Sequence, residues 1–157
     1  MTGLLKHAAV VSVAALAAAQ LLRPERTNPA TEPSLGIQAH VDGASALPGI
    51  LDRSCRDCHS NRTVWPWYSG VAPVSWLMAS GVAEGRKVVN FSEWGHYSPE
   101  RQRALLALSC QAASARKMPG VWTLIHPETR LSAGDIETIC AAARQTTADV
   151  ALAGGAK

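Results

Sequence analysis

The residues best suited to chemistry in this chain form one short motif, Cys55-Arg56-Asp57-Cys58-His59. This is the C-x-x-C-H pattern by which c-type haem is attached to a protein. Two thiols three positions apart can reach the two vinyl groups on one porphyrin edge, and the next residue presents an imidazole to the iron. With four Cys and five His in 157 residues, chance produces this pattern about 0.003 times. The motif therefore predicts one covalent haem c per chain, attached through Cys55 and Cys58, with His59 as an iron ligand.

Two other uses of a C-x-x-C pair fit the sequence less well. A thioredoxin-like dithiol belongs to a βαβ setting, and no stretch of this chain alternates as a strand should. A zinc site needs a second pair of Cys or His at ligand spacing, whereas Cys110 and Cys140 lie thirty residues apart.

The sixth position of a haem iron held by His59 has several candidate ligands. Met118 precedes Pro119 in a loop between two predicted helices, where a thioether can face the iron. His96 and His126 are the nitrogen candidates, and an open or water-bound iron is the remaining interpretation. Met118 is the preferred ligand, and thioether ligation gives a higher potential than two imidazoles.

Composition bounds the fold and excludes several function classes. A chain of 157 residues with 47% apolar and 17% charged residues has room for one domain. Its net charge of +3 comes from scattered Lys and Arg, so no nucleic-acid partner is expected. Paired carboxylates, a nucleophile with its base and a phosphate-binding loop are all missing. Four aromatic residues lie close together, which indicates that a flat or large group packs there: Trp65, Trp67, Tyr68 and Trp76.

Four helical stretches must position the motif, and their apolar residues recur at helical spacing. The first covers residues 44–59 and ends on the motif, and the second covers residues 74–87. The third begins at Ser98, a good N-cap followed by proline. The fourth begins at Ser132, with Asp135 three residues later in a capping-box pattern. The predicted fold class is all-α.

The first 22 residues predict an export segment. The stretch 8–22 is almost wholly apolar and follows Lys6, which places the rest of the chain on the periplasmic side. About 19 residues reach the lower limit for a bilayer span, which predicts a membrane helix that anchors the protein to the periplasmic face of the bacterial inner membrane. Cleavage and release into the periplasm is the alternative, because residues 15–17 and 17–19 both fit a small-x-small site.

Residues 23–43 are rich in proline and small polar residues, which predicts an extended linker. A polyproline-like linker would reach on the order of 75 Å from a membrane, or it wraps the domain surface. The predicted division is a signal peptide or anchor, a linker, a haem-binding domain and a flexible Ala/Gly-rich tail, over residues 1–22, 23–43, 44–146 and 147–157.

Export also bears on the two remaining cysteines. Cys110 and Cys140 lie on the third and fourth predicted helices. They are expected either to form a disulfide between these helices or to stay buried as thiols. An oxidising compartment favours the disulfide.

The C-x-x-C-H motif on an early helix, the Met-Pro loop and the capped last helix together resemble the plan of class I cytochromes c. Over roughly residues 20–145, the chain more narrowly resembles the bacterial haem-binding domain family of single-haem c-type proteins. This second resemblance is carried by Cys-His-Ser-Asn-Arg-Thr-Val-Trp-Pro-Trp-Tyr-Ser from Cys58, Ala72-Pro-Val-Ser-Trp-Leu77, Gly85-Arg86, Asn90-Phe-Ser-Glu-Trp94 and His126-Pro127.

The class I plan implies a hydrogen-bond partner for His59. In that plan the proximal His donates its other ring N–H to the carbonyl of a proline about a dozen residues later, and Pro73 lies near that place. The alternative is that Pro73 only starts the second helix.

A polar and aromatic cluster is the candidate for holding the haem propionates, and a solvated loop around one core Trp is the alternative. Arg86 is its strongest member, because a guanidinium pairs with a carboxylate through two hydrogen bonds. The cluster comprises Arg86, Asn90, Trp94 and Tyr97.

The expected function is transfer of single electrons between redox partner proteins, through an iron that alternates between Fe(II) and Fe(III), without enzymatic activity. Two alternatives remain open. One is a haem-based sensor or peroxidase-like protein with an open sixth position, and the other is an accessory haem subunit of a membrane redox complex.

Overall fold

The computed structural model describes the backbone of residues 2–42 and 45–154 and the side chains of residues 3–42 and 45–145. Within these ranges all regular elements are helical, so the all-α prediction is confirmed. The α-helices are α1 (Thr2–Ala19), α2 (Leu47–Ser54), α3 (Arg56–His59), α4 (Val74–Val88), α5 (Pro99–Ser114) and α6 (Ala133–Gly154). Short 3₁₀ turns separate them at Pro33–Leu35, Ile37–Ala39, Trp67–Gly70, Phe91–His96, Gly120–Leu124 and Pro127–Thr129.

Helix α1 covers most of the predicted export segment, and it does not bear out the predicted membrane helix. Among the described residues, no helix is both long enough and apolar enough to cross a bilayer. The helix α1 ends at Ala19, three residues before the end of the predicted span.

Residues 20–30, here called the strap, run along the surface of the domain instead of forming a free linker. The side-chain oxygen of Gln20 accepts the N–H of Ala72 at 2.9 Å. The indole N–H of Trp76 donates to the carbonyl of Leu22 at 2.7 Å. The Pro-rich segment therefore wraps the domain surface, which is the second of the two predicted arrangements. Side chains of the domain, such as Trp76, donate hydrogen bonds to its backbone carbonyls.

The hydrophobic core draws on most of the chain. Helix α5 packs against α6, and α2 contacts α6. Ile37, which lies in the predicted linker, is fully buried in this core. The folded unit therefore includes residues before 44. The largest fully buried apolar side chains are Trp94, Ile37, Leu47, Leu51, Leu105 and Ile139.

Helices α5 and α6 are joined by a disulfide between Cys110 and Cys140, whose Cα atoms are 4.8 Å apart. The disulfide alternative for these two cysteines is confirmed. The bond closes a stretch of 30 residues that contains the loop between the two helices.

Both predicted N-caps are present. The Ser98 hydroxyl accepts the N–H of Arg101 at 3.3 Å at the start of α5. At the start of α6, the Ser132 hydroxyl accepts the N–H of Asp135 at 3.1 Å, and the Asp135 carboxylate accepts the N–H of Ser132 at 2.8 Å. This reciprocal pair is the predicted capping box.

Two predicted boundaries differ from the structure. The helix expected over residues 44–59 is interrupted at Cys55, whose φ of −128° ends α2 before α3 begins. Residue 44 itself lies outside the described residues. Helix α6 continues to Gly154, so the predicted tail begins as helix, and residues 155–157 lie outside the described residues. Apolar periodicity cannot register a single non-helical residue or the end of an Ala-rich helix.

Candidate haem site

The motif is held by a close contact between α3 and α4. Cys58 and His59 end α3, and Gly85 faces them from α4. A Cβ atom at Gly85 would lie 2.4 Å from the carbonyl oxygen of Cys58, closer than side chains approach backbone. Glycine is therefore required at this position, because any side chain would push the two helices apart.

The imidazole of His59 is oriented by backbone carbonyls of α4 and the residue after it. Its Nδ1 lies 2.9 Å from the Gly85 oxygen and 3.3 Å from the Val89 oxygen. Since Nδ1–H donates to these carbonyls, Nε2 keeps a lone pair. Burial lowers the pKa of His59, although the two carbonyls act in the opposite direction, so the ring is neutral near pH 7. A neutral, oriented imidazole is the form that binds a metal.

Gly85 takes the role that the sequence assigned to Pro73. Pro73 is the N-cap of α4, and its carbonyl accepts the N–H groups of Trp76 and Leu77 at 3.1 and 3.4 Å. The alternative interpretation, in which Pro73 only starts the second helix, is therefore correct. Helix α3 contacts the C-terminal end of α4, whereas Pro73 lies at the N-terminal end of α4.

The thiols of Cys55 and Cys58 are unpaired and half-buried. Burial raises the pKa of Cys55 to about 12, and the nearby Cys58 acts in the same direction. Burial also raises the pKa of Cys58, with Asp57 as a further cause. Both side chains are therefore neutral thiols at pH 7, beside the imidazole of His59.

Arg86 fastens the strap to the segment that follows the motif. Its Nε–H donates to the Ser60 carbonyl at 2.7 Å and its Nη1 to the Thr27 carbonyl at 3.0 Å. Its Nη2 donates to the Asn28 side chain at 3.0 Å and to the Thr63 hydroxyl at 2.9 Å. Four of its five N–H groups thus bind protein acceptors. The prediction that Arg86 pairs bidentately with a haem carboxylate is not supported.

The other members of the predicted propionate cluster are also used within the protein. The Asn90 side chain accepts the N–H of Ser92 at 3.0 Å and donates to the Asn61 oxygen at 2.8 Å. Trp94 is a core residue with 1% exposure. The Tyr97 hydroxyl accepts the N–H of Asn90 at 3.0 Å. Asn90 and Trp94 therefore organise the turn beside the motif, as the alternative of a loop around one core Trp implies.

Trp65 is a candidate that sequence reasoning noted only as part of an aromatic group. Its indole N–H is buried and has no hydrogen-bond partner among the described residues. The segment before it is fixed to α3, because the Thr63 hydroxyl donates to the Asp57 carbonyl at 2.7 Å and Val64 N–H donates to the Asp57 carboxylate at 3.0 Å. A buried unpaired donor beside the motif fits a ligand that carries an acceptor, such as a haem carboxylate.

Large apolar side chains are exposed on the segments around the motif. Trp67 is 84% exposed on a turn that packs against α4. Exposed apolar surface of this extent indicates a binding site for an apolar group. The segments concerned carry Val64, Trp67, Leu77, Met118, Val121, Leu124 and Ile125.

His126 and His96 are both occupied by other side chains. His126 Nε2 is hydrogen-bonded to the Tyr68 hydroxyl, and its Nδ1 lies 2.9 Å from the Glu128 carboxylate. With both nitrogens bound in this way, His126 is not placed as an iron ligand. His96 Nδ1 lies 3.0 Å from Glu93, and its side chain is 62% exposed.

Met118 lies where the sequence predicts, in the loop that joins α5 to α6. We call residues 115–131 the Met118 loop. The Met118 side chain is 52% exposed. The residues of the site fit a haem, since they include two free thiols, an oriented imidazole, an unpaired indole N–H and exposed apolar side chains.

No curated protein and no solved structure matches this chain. A family model described as a haem-binding domain matches residues 14–145. The matched range includes the strap, the motif, α4 and the Met118 loop. By this match the chain belongs to the haem-binding domain family.

Proposed function

We propose that this protein carries single electrons between redox partner proteins through one haem c attached to Cys55 and Cys58. The observation that carries the proposal is the geometry of His59. Its Nδ1–H is bound by the Gly85 carbonyl and its Nε2 is left with a lone pair, directly beside two unpaired thiols. Haem supplies the one-electron exchange between Fe(II) and Fe(III) when bound.

The remaining roles follow from the residues around the motif. Cys55 and Cys58 would form the two thioethers, and the indole N–H of Trp65 would donate to a haem carboxylate. Met118 would give the iron its second protein ligand. If His59 and Met118 both held the iron, no ligand position would be left for a substrate, which favours electron transfer over catalysis. The motif on an early helix and a Met loop before the last helix support a class I cytochrome c-like arrangement.

The proposed location is the periplasm. Lys6 precedes the apolar stretch of α1, which is the charge order of an export signal. The disulfide between Cys110 and Cys140 supports an oxidising compartment. Cell fractionation should find the haem-stained protein in the periplasmic fraction, and recovery in the cytoplasmic fraction would contradict this location.

Covalent attachment is tested by haem staining after denaturing electrophoresis. The wild-type chain should retain haem, and Cys55→Ala/Cys58→Ala should lose it. The matched control is Cys110→Ala/Cys140→Ala, which removes the other two cysteines and should keep the stain. If the motif variant keeps a haem that survives denaturation, the attachment proposal is wrong.

Electron transfer with a filled sixth position is tested at Met118. Met118→His should lower the midpoint potential by on the order of 100 mV or more, because a neutral thioether favours Fe(II). Met118→Ala should bind carbon monoxide, which the wild-type protein should resist. Ready binding of carbon monoxide by the wild-type protein would support the sensor or peroxidase-like alternative instead.

A further inference from the structure

We propose that Tyr68, His126 and Glu128 form a clasp that holds the Met118 loop against the motif side of the domain. His126 is then a positioning residue, which acts on the iron through the placement of Met118. This inference rests on the proposed function, in which Met118 is the sixth ligand.

The clasp is a chain of hydrogen bonds. The Tyr68 O–H donates to His126 Nε2, and His126 Nδ1–H donates to the Glu128 carboxylate at 2.9 Å. The Tyr68 and His126 rings also contact each other, with centroids 6.1 Å apart. Hydrogen bonds from its own backbone N–H and from His126 lower the pKa of Glu128, which keeps it a charged acceptor. The carboxylate thereby selects the ring tautomer that accepts from Tyr68.

His126 is also the residue that ties the loop together. Its backbone N–H donates to the Trp122 carbonyl at 2.9 Å. Its own carbonyl accepts the hydroxyl and the N–H of Thr129 at 2.7 and 3.1 Å. Because His126 connects the two 3₁₀ turns of the loop, fixing its ring fixes the backbone that follows Met118.

Tyr68 lies on a turn that is itself fixed by packing and hydrogen bonds. This turn, Trp67–Gly70, packs against α4. The neighbouring Ser69 is fully buried, donates to the Pro66 carbonyl at 2.6 Å and accepts from Arg26 of the strap at 3.1 Å. The same helix, α4, holds the imidazole of His59. The clasp therefore connects the loop to the structure that orients the first iron ligand.

The other hydrogen bonds of the loop do not reach this side of the domain. The N–H groups of residues 115–117 donate to carbonyls at the end of α5, and the remaining hydrogen bonds stay within the loop. Across the described residues, the link from Tyr68 to His126 is the hydrogen bond that joins the loop to the first half of the chain. Its removal leaves the loop held at its two ends and by the packing of the turn Pro127–Thr129 against α2.

The experiment compares variants of the haem-loaded protein. Tyr68→Phe removes the donor, and His126→Ala removes the acceptor. His126→Gln keeps an amide that can accept from Tyr68. The matched control is His96→Gln, because His96 has a similar contact with Glu93 but no tyrosine partner. The readouts are the weak red absorbance band of Met-ligated ferric haem and the rate of carbon monoxide binding to the ferrous form.

Tyr68→Phe and His126→Ala should weaken the red band and increase the carbon monoxide-reactive fraction about three- to tenfold, the range expected for the loss of one or two hydrogen bonds. His126→Gln should restore part of the wild-type behaviour, and His96→Gln should match the wild type. Far-UV circular dichroism checks that each variant is folded. If His126→Ala does not fold, Tyr68→Phe decides, because it removes a single hydroxyl.

Two results separate this inference from the proposed function. If Met118→Ala leaves the spectrum unchanged, Met118 is not the ligand and the proposed function loses its sixth ligand. If Met118→Ala abolishes the red band while Tyr68→Phe and His126→Ala match the wild type, the ligand stands and the clasp is refuted. If His126→Ala alone removes the sixth ligand, His126 binds the iron itself and the positioning role is overturned.

Discussion

The two sides of the candidate site are built in different ways. On the His59 side, the imidazole is bound by a backbone carbonyl of α4, the thiols are half-buried, and Arg86 ties the strap to the segment after the motif. On the side of the Met118 loop, apolar side chains are exposed and the clasp is the link to the rest of the site. The imidazole of His59 is already oriented by the fold, whereas Met118, the proposed second ligand, lies on a loop. Substitutions on the His59 side, or in the helices that carry the loop, should therefore change folding stability, whereas substitutions within residues 115–131 should change ligand exchange.

Removal of the disulfide should have the largest effect on the side of the Met118 loop, because the bond joins the two helices that carry the loop. Cys110→Ala/Cys140→Ala should lower the free energy of unfolding by about 3–4 kcal/mol, as expected for a bridge that closes 30 residues. Urea unfolding with and without reductant measures the effect. Equal stability of the oxidised and reduced wild-type protein would show that α5 and α6 hold the loop without it.

Gly85 tests the His59 side with a control in the same helix. Gly85→Ala should cost about 3 kcal/mol, because its Cβ would collide with the carbonyl of Cys58. Gly81→Ala meets nothing within 4 Å and should instead stabilise α4 by about 0.5–1 kcal/mol. Thermal unfolding of both variants gives the comparison. Similar midpoints for the two would mean that the contact between α3 and α4 can relax.

Arg86 provides a second test of the His59 side, because its guanidinium binds the strap and not the predicted haem carboxylate. Arg86→Lys keeps the charge but loses the forked hydrogen bonds, and should cost about 1–2 kcal/mol. Amide hydrogen exchange should become faster in the strap and remain unchanged in α5. Arg144→Lys is the control, because its pair with Glu137 is exposed on both sides and contributes little. An unchanged exchange rate in the strap would contradict the role of Arg86.

The smallest expected effect concerns the capping box at the end of the loop. Hydrogen bonds from the Ser132 backbone lower the pKa of Asp135, and its hydroxyl and Arg53 act in the same direction. A carboxylate with a lowered pKa stabilises the fold above its unfolded pKa and loses this effect as the pH falls through the folded pKa. Asp135→Asn should therefore cost about 1 kcal/mol at pH 7, and the difference should shrink as the pH falls below the unfolded pKa and vanish below the lowered folded pKa. Thermal midpoints against pH test this, and a constant difference would contradict it.

The features that the sequence predicted correctly depend on local spacing. The caps at Ser98 and Ser132 can be derived from residue types at fixed intervals, and the pairing of Cys110 with Cys140 from the expectation of an oxidising compartment. The start of α4 was equally accessible, because a Pro followed by an apolar helical pattern marks it. Such signals need no knowledge of which segments meet in space.

The features that were missed depend on contacts between distant segments. The sequence predicts a haem carboxylate as the partner of Arg86, but its acceptors are two backbone carbonyls and the side chains of Asn28 and Thr63. Backbone carbonyls have no sequence signature.

The resemblance to class I cytochromes c implies that the Pro73 carbonyl accepts the ring N–H of His59. The Gly85 carbonyl accepts it instead, because the missing side chain of Gly85 lets α3 and α4 come close. The available signal is Gly85 itself, which lies inside a predicted helix. Glycine destabilises a helix interior, so its presence there indicates a place where another backbone comes close.

The strap also determines the order in which the domain can be completed. It is synthesised before every group that holds it, and its hydrogen bonds to Ser69, Ala72, Trp76 and Arg86 join residues 43 to 59 positions apart. Contacts of such long range form after local helices, since the entropy of closing the intervening chain must be overcome first. Its Pro-rich backbone stays extended in the meantime and does not fold on itself. The strap therefore docks after α4 has formed, and until it docks Arg86 and the segment after the motif lack their contacts with Arg26, Thr27 and Asn28.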